Sequence, residues 1–370
     1  MAKILVIGGG FAGCIASHLL SGKGHDITMI EQGKWLGGGC KTFRYGGLPY
    51  TFGPRHFLTK KEEHFAWLNQ YCPLRHFDQG HEFLTFVEGD ERFYHFPMHR
   101  DEVDEMPDAA EVIAELAQCK GPENAKNLEE YWQMSVGNIL YEKFVKKYSK
   151  KMWQIESNTE LTEFGYTAKG VSLATGGKAA WAGDVSIMSA FPYAQNGYDD
   201  YFALATKDIK VHLDTTIEAY DIENYRVKVA GEWHQYDVII STIFPEVLMN
   251  NAYGPLRWMG RDFFKIVLPI EKVFPDEVYF LYYANDEPFT RIVDYKKFFF
   301  NESPNSIIGL EIPSTKNKLY PFTTKKDQAQ AQLYFDAMPK NVHSIGRSGT
   351  YRYLDVGNIV EQCLGMFSDF

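Results

Sequence analysis

Patterned cysteine, long apolar runs and positive charge are all scarce in this chain of 370 residues. Its five cysteines, Cys14, Cys40, Cys72, Cys119 and Cys363, are odd in number, and none falls in a Cys-x-x-Cys or Cys/His zinc spacing. They read as reduced thiols of a cytoplasmic protein, and no metal is expected. No apolar run reaches the ~20 residues that span a bilayer. The first residues enter a strand directly instead of a signal peptide, so a soluble, cytoplasmic chain with no membrane partner is expected. Net charge is −10, which opposes nucleic acid and anionic surfaces. An anionic substrate would therefore need a local basic cluster. Repeats and low-complexity linkers are missing too. Aromatics are plentiful at 15%, with 27 Phe and 23 Tyr, which suits large pockets as well as ordinary cores. The length is enough for two or three lobes.

The strongest motif lies at the start. An apolar strand beginning at Lys3 runs into Gly8-x-Gly10-Phe11-Ala12-Gly13, a helix follows, and a second strand, Ile27 to Ile30, ends on Glu31. In such a unit Gly8 permits the tight turn, Gly10 lets backbone approach a pyrophosphate, and Gly13 lets helix and strand pack closely. The helix N-terminus offers N–H groups and a positive dipole end to phosphates, and Glu31 stands where a ribose hydroxyl is read. A second cluster, Gly37-Gly38-Gly39, follows closely. A nicotinamide dehydrogenase has no need of it. In flavoproteins that bind two dinucleotides, such a turn passes close to the FAD phosphates, which shifts the expected cofactor to FAD.

Farther along, residues 101–165 are charged and helix-friendly, with apolar residues at three- and four-residue spacing. Lys146, Lys147, Lys150 and Lys151 are expected to form a solvated helix face. Asp237-Val-Ile-Ile-Ser-Thr reads as a buried strand rejoining the first sheet, and Val278–Tyr283 and Ser306–Ile312 as antiparallel strands. Val342-His-Ser is a last short strand before a C-terminal helix. The expected fold class is α/β: a Rossmann-like FAD-binding domain with an inserted helical lobe and an antiparallel-sheet substrate lobe. The FAD-binding domain is expected over residues 1–70, 195–245 and 325–370, the helical lobe over 100–165, and the sheet lobe over 71–99, 166–194 and 246–324.

Four blocks, in order, carry a resemblance to a known family. They are Phe144-Val-Lys-Lys-Tyr148-Ser-Lys-Lys-Met-Trp153, Pro288-Phe-Thr-Arg291-Ile-Val-Asp-Tyr-Lys-Lys-Phe298, Tyr320-Pro321, and Gly346-Arg347-Ser-Gly-Thr-Tyr351-Arg-Tyr353-Leu-Asp355. Nearly end to end, the chain resembles the flavin-dependent nucleotide-sugar mutases typified by UDP-galactopyranose mutase. The resemblance implies interconversion of pyranose and furanose forms of a nucleotide-diphosphate sugar through an adduct on N5 of reduced FAD, for polysaccharide biosynthesis. It implies an external reductant such as NAD(P)H and is compatible with a homodimer. By the same resemblance Gly8, Gly10, Phe11, Ala12, Gly13, Glu31, Gly38, Gly39, Arg347 and Asp355 would hold the cofactor. Arg347, Arg291, Arg55 and Asp355 would serve catalysis, and Phe144, Tyr148, Trp153, Tyr320 and Tyr353 would bind substrate.

The chain also departs from the family. The loop arginine that closes on the diphosphate should fall near Ile187 or Met188, and a second diphosphate arginine falls on Leu310. Arg55 appears in the flavin-facing turn Phe52-Gly53-Pro54-Arg55-His56, and Arg100 is a candidate replacement cation. A related sugar or another nucleotide is therefore expected. Two other readings stay open: a redox flavoenzyme of the amine-oxidase or desaturase type, and an inactive nucleotide-binding relative.

Overall fold

The structure is a computed structural model and describes residues 1–77, 82–96, 98, 100–162, 188–322, 324–368 and 370. The chain forms two compact units, Met1–His76 with Ile187–Arg257 and Lys326–Phe370, and Phe77–Ser186 with Trp258–Lys325. The helical segment and the large sheet thus share the second unit.

The first unit is built on a five-stranded parallel sheet, in the order Lys210–His212, Asp26–Ile30, Lys3–Ile7, Val238–Ser241, Val342–Ser344. Ile4, Leu5 and Val6 are fully buried, as an all-parallel sheet covered on both faces requires. Val238–Ser241 rejoins this sheet beside the first strand, in the register Ile4 to Val238. Helix Phe11–Ser21 packs against the C-terminal helix Val356–Phe367. A side-chain carbon at Gly357 would lie 1.7 Å from the Leu58 carbonyl oxygen, so only glycine allows that helix to approach strand Phe57–Thr59. Met188–Pro192 is the centre of a small antiparallel sheet between Phe57–Thr59 and Leu74–His76.

The second unit carries a seven-stranded sheet in the order Tyr320–Pro321, Trp258–Leu268, Ser306–Ser314, Arg291–Asp294, Val278–Tyr283, Glu82–Val87, Arg92–His95. It is antiparallel except at one place. Val278–Tyr283 runs parallel to Glu82–Val87, a correction to the purely antiparallel expectation. Those two strands are far apart in the chain, and a long connection lets them run the same way. Helix Leu128–Leu140, capped by Asn127, kinks at Gly137, whose φ of 84° suits glycine. A π-helical turn, Tyr141–Lys146, then leads into helix Lys147–Trp153. Tyr94, Val112, Leu140, Tyr141 and Phe144 form the core of this region. Among the described residues no helix is long and apolar enough to cross a membrane.

Candidate active site

In the first unit the fingerprint glycines divide into those the fold needs and one that leaves room. A side-chain carbon at Gly13 would lie 2.1 Å from the Gly8 carbonyl oxygen, and one at Gly8, where φ is +96°, would lie 2.2 Å from Thr242 Oγ1. At Gly10 it would meet nothing within 4 Å. Gly10 begins helix Phe11–Ser21, which has no side-chain cap and no acid in its first turn. Open space in front of an uncapped N-terminus fits a pyrophosphate. Phe11 and Ala12, in that first turn, are buried, and the Phe11 ring packs on Tyr198 and Phe202. Glu31 accepts N–H groups of Gly9 (2.7 Å) and Gly33 (2.6 Å), one on each carboxylate oxygen. Each oxygen keeps a second lone pair, so a ribose hydroxyl could still donate to it.

The second glycine cluster docks on the first. Gly37 donates to the Gly9 carbonyl at 2.8 Å and bridges to Gly10. Gly38 has φ +52°, and a side-chain carbon there would stand 3.3 Å from Gly10 Cα. Asp199 accepts the Thr42 N–H (3.1 Å) and the Lys41 ammonium, which ties down the end of this turn. Arg55 donates from Nε to the Gly39 carbonyl at 3.0 Å, while the Arg55 carbonyl accepts the Tyr198 hydroxyl at 2.8 Å. Arg347 follows Gly346, where φ is +72°, and donates from Nε and one terminal nitrogen to the Leu354 carbonyl, at 2.8 and 2.7 Å. Its guanidinium lies 4.4 Å from the Tyr353 ring centroid. Asp355 caps the last helix through a 2.8 Å bond from the Asn358 N–H, and burial raises its carboxyl above the usual range. Arg55, Arg347, Tyr353 and Asp355 therefore all belong to the first unit.

The other predicted substrate residues but Tyr353, together with Arg291, lie in the second unit, which also holds a charged core that the motifs did not announce. Tyr282, Arg291, Glu311 and Phe263 stand directly opposite one another on successive strands, and so share one face of the sheet. Arg291 grips the fully buried Glu311 with two 2.7 Å bonds and one of 3.1 Å. Arg261 is only 3% exposed. It donates to Thr290 Oγ1 at 3.0 Å, and its Nε stands 3.4 Å from Glu311 Oε2 without making a hydrogen bond. Its guanidinium lies 5.2 Å from the Tyr320 ring centroid and touches the Met152 thioether. Tyr148, from the same helix as Met152, is buried within the electrostatic reach of Arg261 and Arg291 and edge-on to Tyr282 at 6.0 Å. Trp153 is buried edge-on to Phe322 at 5.3 Å, and its Nε1 has no hydrogen-bond partner among the described residues.

Four of the predicted substrate residues, Phe144, Tyr148, Trp153 and Tyr320, thus lie in one unit with Arg291. Within it Phe144 packs in the helical core, 5.4 Å from Tyr94. Leu310 pairs with Phe264 and Ile292, on the opposite face from Glu311. Of the two positions for the family's loop arginine, Ile187 lies outside the described residues, as does the Arg100 side chain, and Met188 begins a strand of the first unit. The lysine run divides. Lys146 and Lys147 make surface pairs with Glu142 and Asp286, whereas Lys151 turns inward to the Tyr283 carbonyl at 2.9 Å. Burial pushes the Lys151 ammonium down to about 8. Arg261, Glu311 and Thr290 were not foreseen. A signal existed, since an acid in Ser306–Ser314 and an arginine in Trp258–Leu268 interrupt apolar strands, and buried charges need partners.

Comparison with known proteins points to one family. The family model for UDP-galactopyranose mutase matches residues 143–353, and one for an NAD(P)-binding Rossmann-like domain matches residues 6–71. A probable UDP-galactopyranose mutase of Klebsiella pneumoniae is 23% identical, over 100% of this chain and 94% of the relative. The dTDP-fucopyranose mutase of Escherichia coli is 22% identical, over 98% of this chain and 97% of the relative. A crystal structure of reduced UDP-galactopyranose mutase superposes with a TM-score of 0.78 at 16% identity, over 100% of this chain and 95% of that one. At that identity the superposition speaks for the fold alone.

Proposed function

The chain belongs to the UDP-galactopyranose mutase family, whose members are flavin-dependent pyranose mutases, and we propose that it interconverts the pyranose and furanose forms of a nucleotide-diphosphate sugar with reduced FAD. The observation that carries the substrate class is the buried cluster of the second unit. Two guanidinium groups share one carboxylate there, beside Tyr148 and Tyr320. A nucleoside diphosphate needs such a setting: cations for a leaving group that departs charged, and aromatic surface for the base. The open backbone at Gly10, the uncapped helix and the docked Gly37–Gly39 turn fit FAD, held through its pyrophosphate with Glu31 on a ribose.

Bound and reduced, the flavin would supply nucleophilic chemistry toward the anomeric carbon. The chain's own residues do the rest. Arg291 is held rigidly by Glu311, so its charge is oriented before substrate arrives. Trp153 Nε1 has no partner among the described residues and offers a donor. Arg347 and Tyr353 form a stacked pair in the first unit that can hold an anionic oxygen. We place the activity in the cytoplasm, where it would feed furanose units to a polysaccharide.

The test is direct. Purified protein reduced with dithionite is offered UDP-galactopyranose and dTDP-fucopyranose, and products are resolved by chromatography and NMR. A furanose isomer that forms only under reducing conditions is expected. Oxygen consumption with an oxidised product, or no conversion of either sugar, overturns the proposal.

A further inference from the structure

Building on the mutase reading, we propose that Arg261 is the diphosphate-binding cation of this chain, taking the part left empty at Leu310. Strand Trp258–Leu268 alternates, with Phe264 and Ile266 exposed on one face and Arg261 buried on the other. At that depth a guanidinium needs a full set of partners, and among the described residues Arg261 does not have one. Thr290 takes one donor, and Met152 offers only a thioether, a weak acceptor. Glu311 gives both of its oxygens to Arg291. Among the described residues Glu311 is the one carboxylate within ion-pair distance of either arginine. The cluster therefore holds two positive charges against one negative. Lys151 does not alter that balance, because Glu287 lies 3.6 Å away and pairs with it.

An uncompensated buried guanidinium is destabilising. A ligand that brings the missing negative charge removes that destabilisation on binding. Phosphate oxygens match the planar fork of an arginine. The neighbours suit the rest of a nucleoside diphosphate: the Tyr320 ring lies against the guanidinium, and Tyr148 sits in its field. Leu310 points from the other face of the sheet, so the replacement is not positional. A cation has been gained on a neighbouring strand.

The experiment compares UDP and dTDP with uridine and thymidine, by calorimetric titration of reduced holoenzyme. Wild type should bind the diphosphates at least about tenfold more tightly than the nucleosides, as charge-assisted phosphate contacts imply. Arg261→Met should close most of that gap and leave nucleoside affinity unchanged. Arg261→Lys, which keeps the charge but loses the fork, should fall between. Folded Arg261→Met that binds UDP and dTDP like wild type overturns the proposal. Should Arg261→Met fail to fold, Arg261→Lys decides: a selective loss for the diphosphates supports the assignment, and unchanged binding overturns it. Conversion of sugar nucleotides by wild type is followed alongside. Its absence would sink the mutase reading, while the assignment of Arg261 stands or falls on the binding gap.

Discussion

The two units build their charged and phosphate-facing groups in different ways. In the first, Gly8, Gly10, Gly13 and Glu31 lie within a single strand–helix–strand passage, and the Gly37–Gly39 turn folds straight back onto it. In the second, Arg261 meets Thr290 across 29 positions and Met152 across 109, and Arg291 meets Glu311 across 20. The first is a property of local backbone: turns, a helix end, close approach. The second is a property of sheet register, since the partners meet only when strands align. The lesson is that substitutions should damage the two in different ways, through backbone clash in one and through unbalanced charge in the other.

The largest effect should come from forcing a side chain into the tight part of the cradle. Gly13→Ala puts a carbon 2.1 Å from the Gly8 carbonyl oxygen, which neither backbone can escape. A loss above ~4 kcal/mol is expected, seen as little soluble protein and a collapsed thermal transition. Gly10→Ala is its counterpart. Space is open and φ is −71°, so the apoprotein should melt like wild type yet retain far less flavin by absorbance after gel filtration. Equal flavin content in the two proteins would refute the division between fold-bearing and ligand-facing glycines.

Next comes the register-built cluster. Arg291→Met strips Glu311 of its bidentate partner and leaves Arg261 at 3.4 Å without a hydrogen bond. Breaking a buried pair in this way costs about 3–5 kcal/mol. Arg261→Met leaves the Arg291–Glu311 pair intact and should cost clearly less. Urea denaturation of both variants checks the order, and a reversed order would mean that Glu311 belongs chiefly to Arg261.

The smallest effect concerns pH. Burial lowers the Lys151 ammonium from 10.5 to about 8. Between those values the folded protein has released a proton that the unfolded chain keeps, so wild type should gain stability with rising pH relative to Lys151→Met. Below pH 8 both states are protonated, and the difference should be flat. The slope cannot exceed about 1.4 kcal/mol per pH unit for one group. Unfolding free energies of both proteins from pH 7 to 10 test this, and parallel curves would show that Lys151 titrates normally.

Much of the first unit was legible from residues. The fingerprint, the strand at Val238, the last strand at Val342 and the final helix all fall where local pattern places them, because parallel strands and helix ends leave local signatures. The four motif blocks brought Phe144, Tyr148, Trp153, Tyr320 and Arg291 into view, and all five lie in the second unit. Motifs could not tell that Phe144 packs in the helical core while Tyr148 stands near Arg261 and Arg291, since aromatics at helical spacing read alike until packing assigns a face. Asp355 reads as an acid of the Arg347 block, yet its visible bond caps a helix.

What the chain determined alone is its class: glycines at turns that tolerate nothing else, an acid at a strand end, and enough family blocks in order to place it among flavin-dependent mutases. Only the tertiary structure decided where its charge resides. Leu310 and Glu311 are neighbours in the chain, but the two-residue period of a strand sends them to opposite faces. Pairing with Arg291 and the diagonal approach of Arg261 then turn one carboxylate into the shared partner of two cations. Such a balance depends on which strands lie side by side, a matter of register that no local pattern encodes.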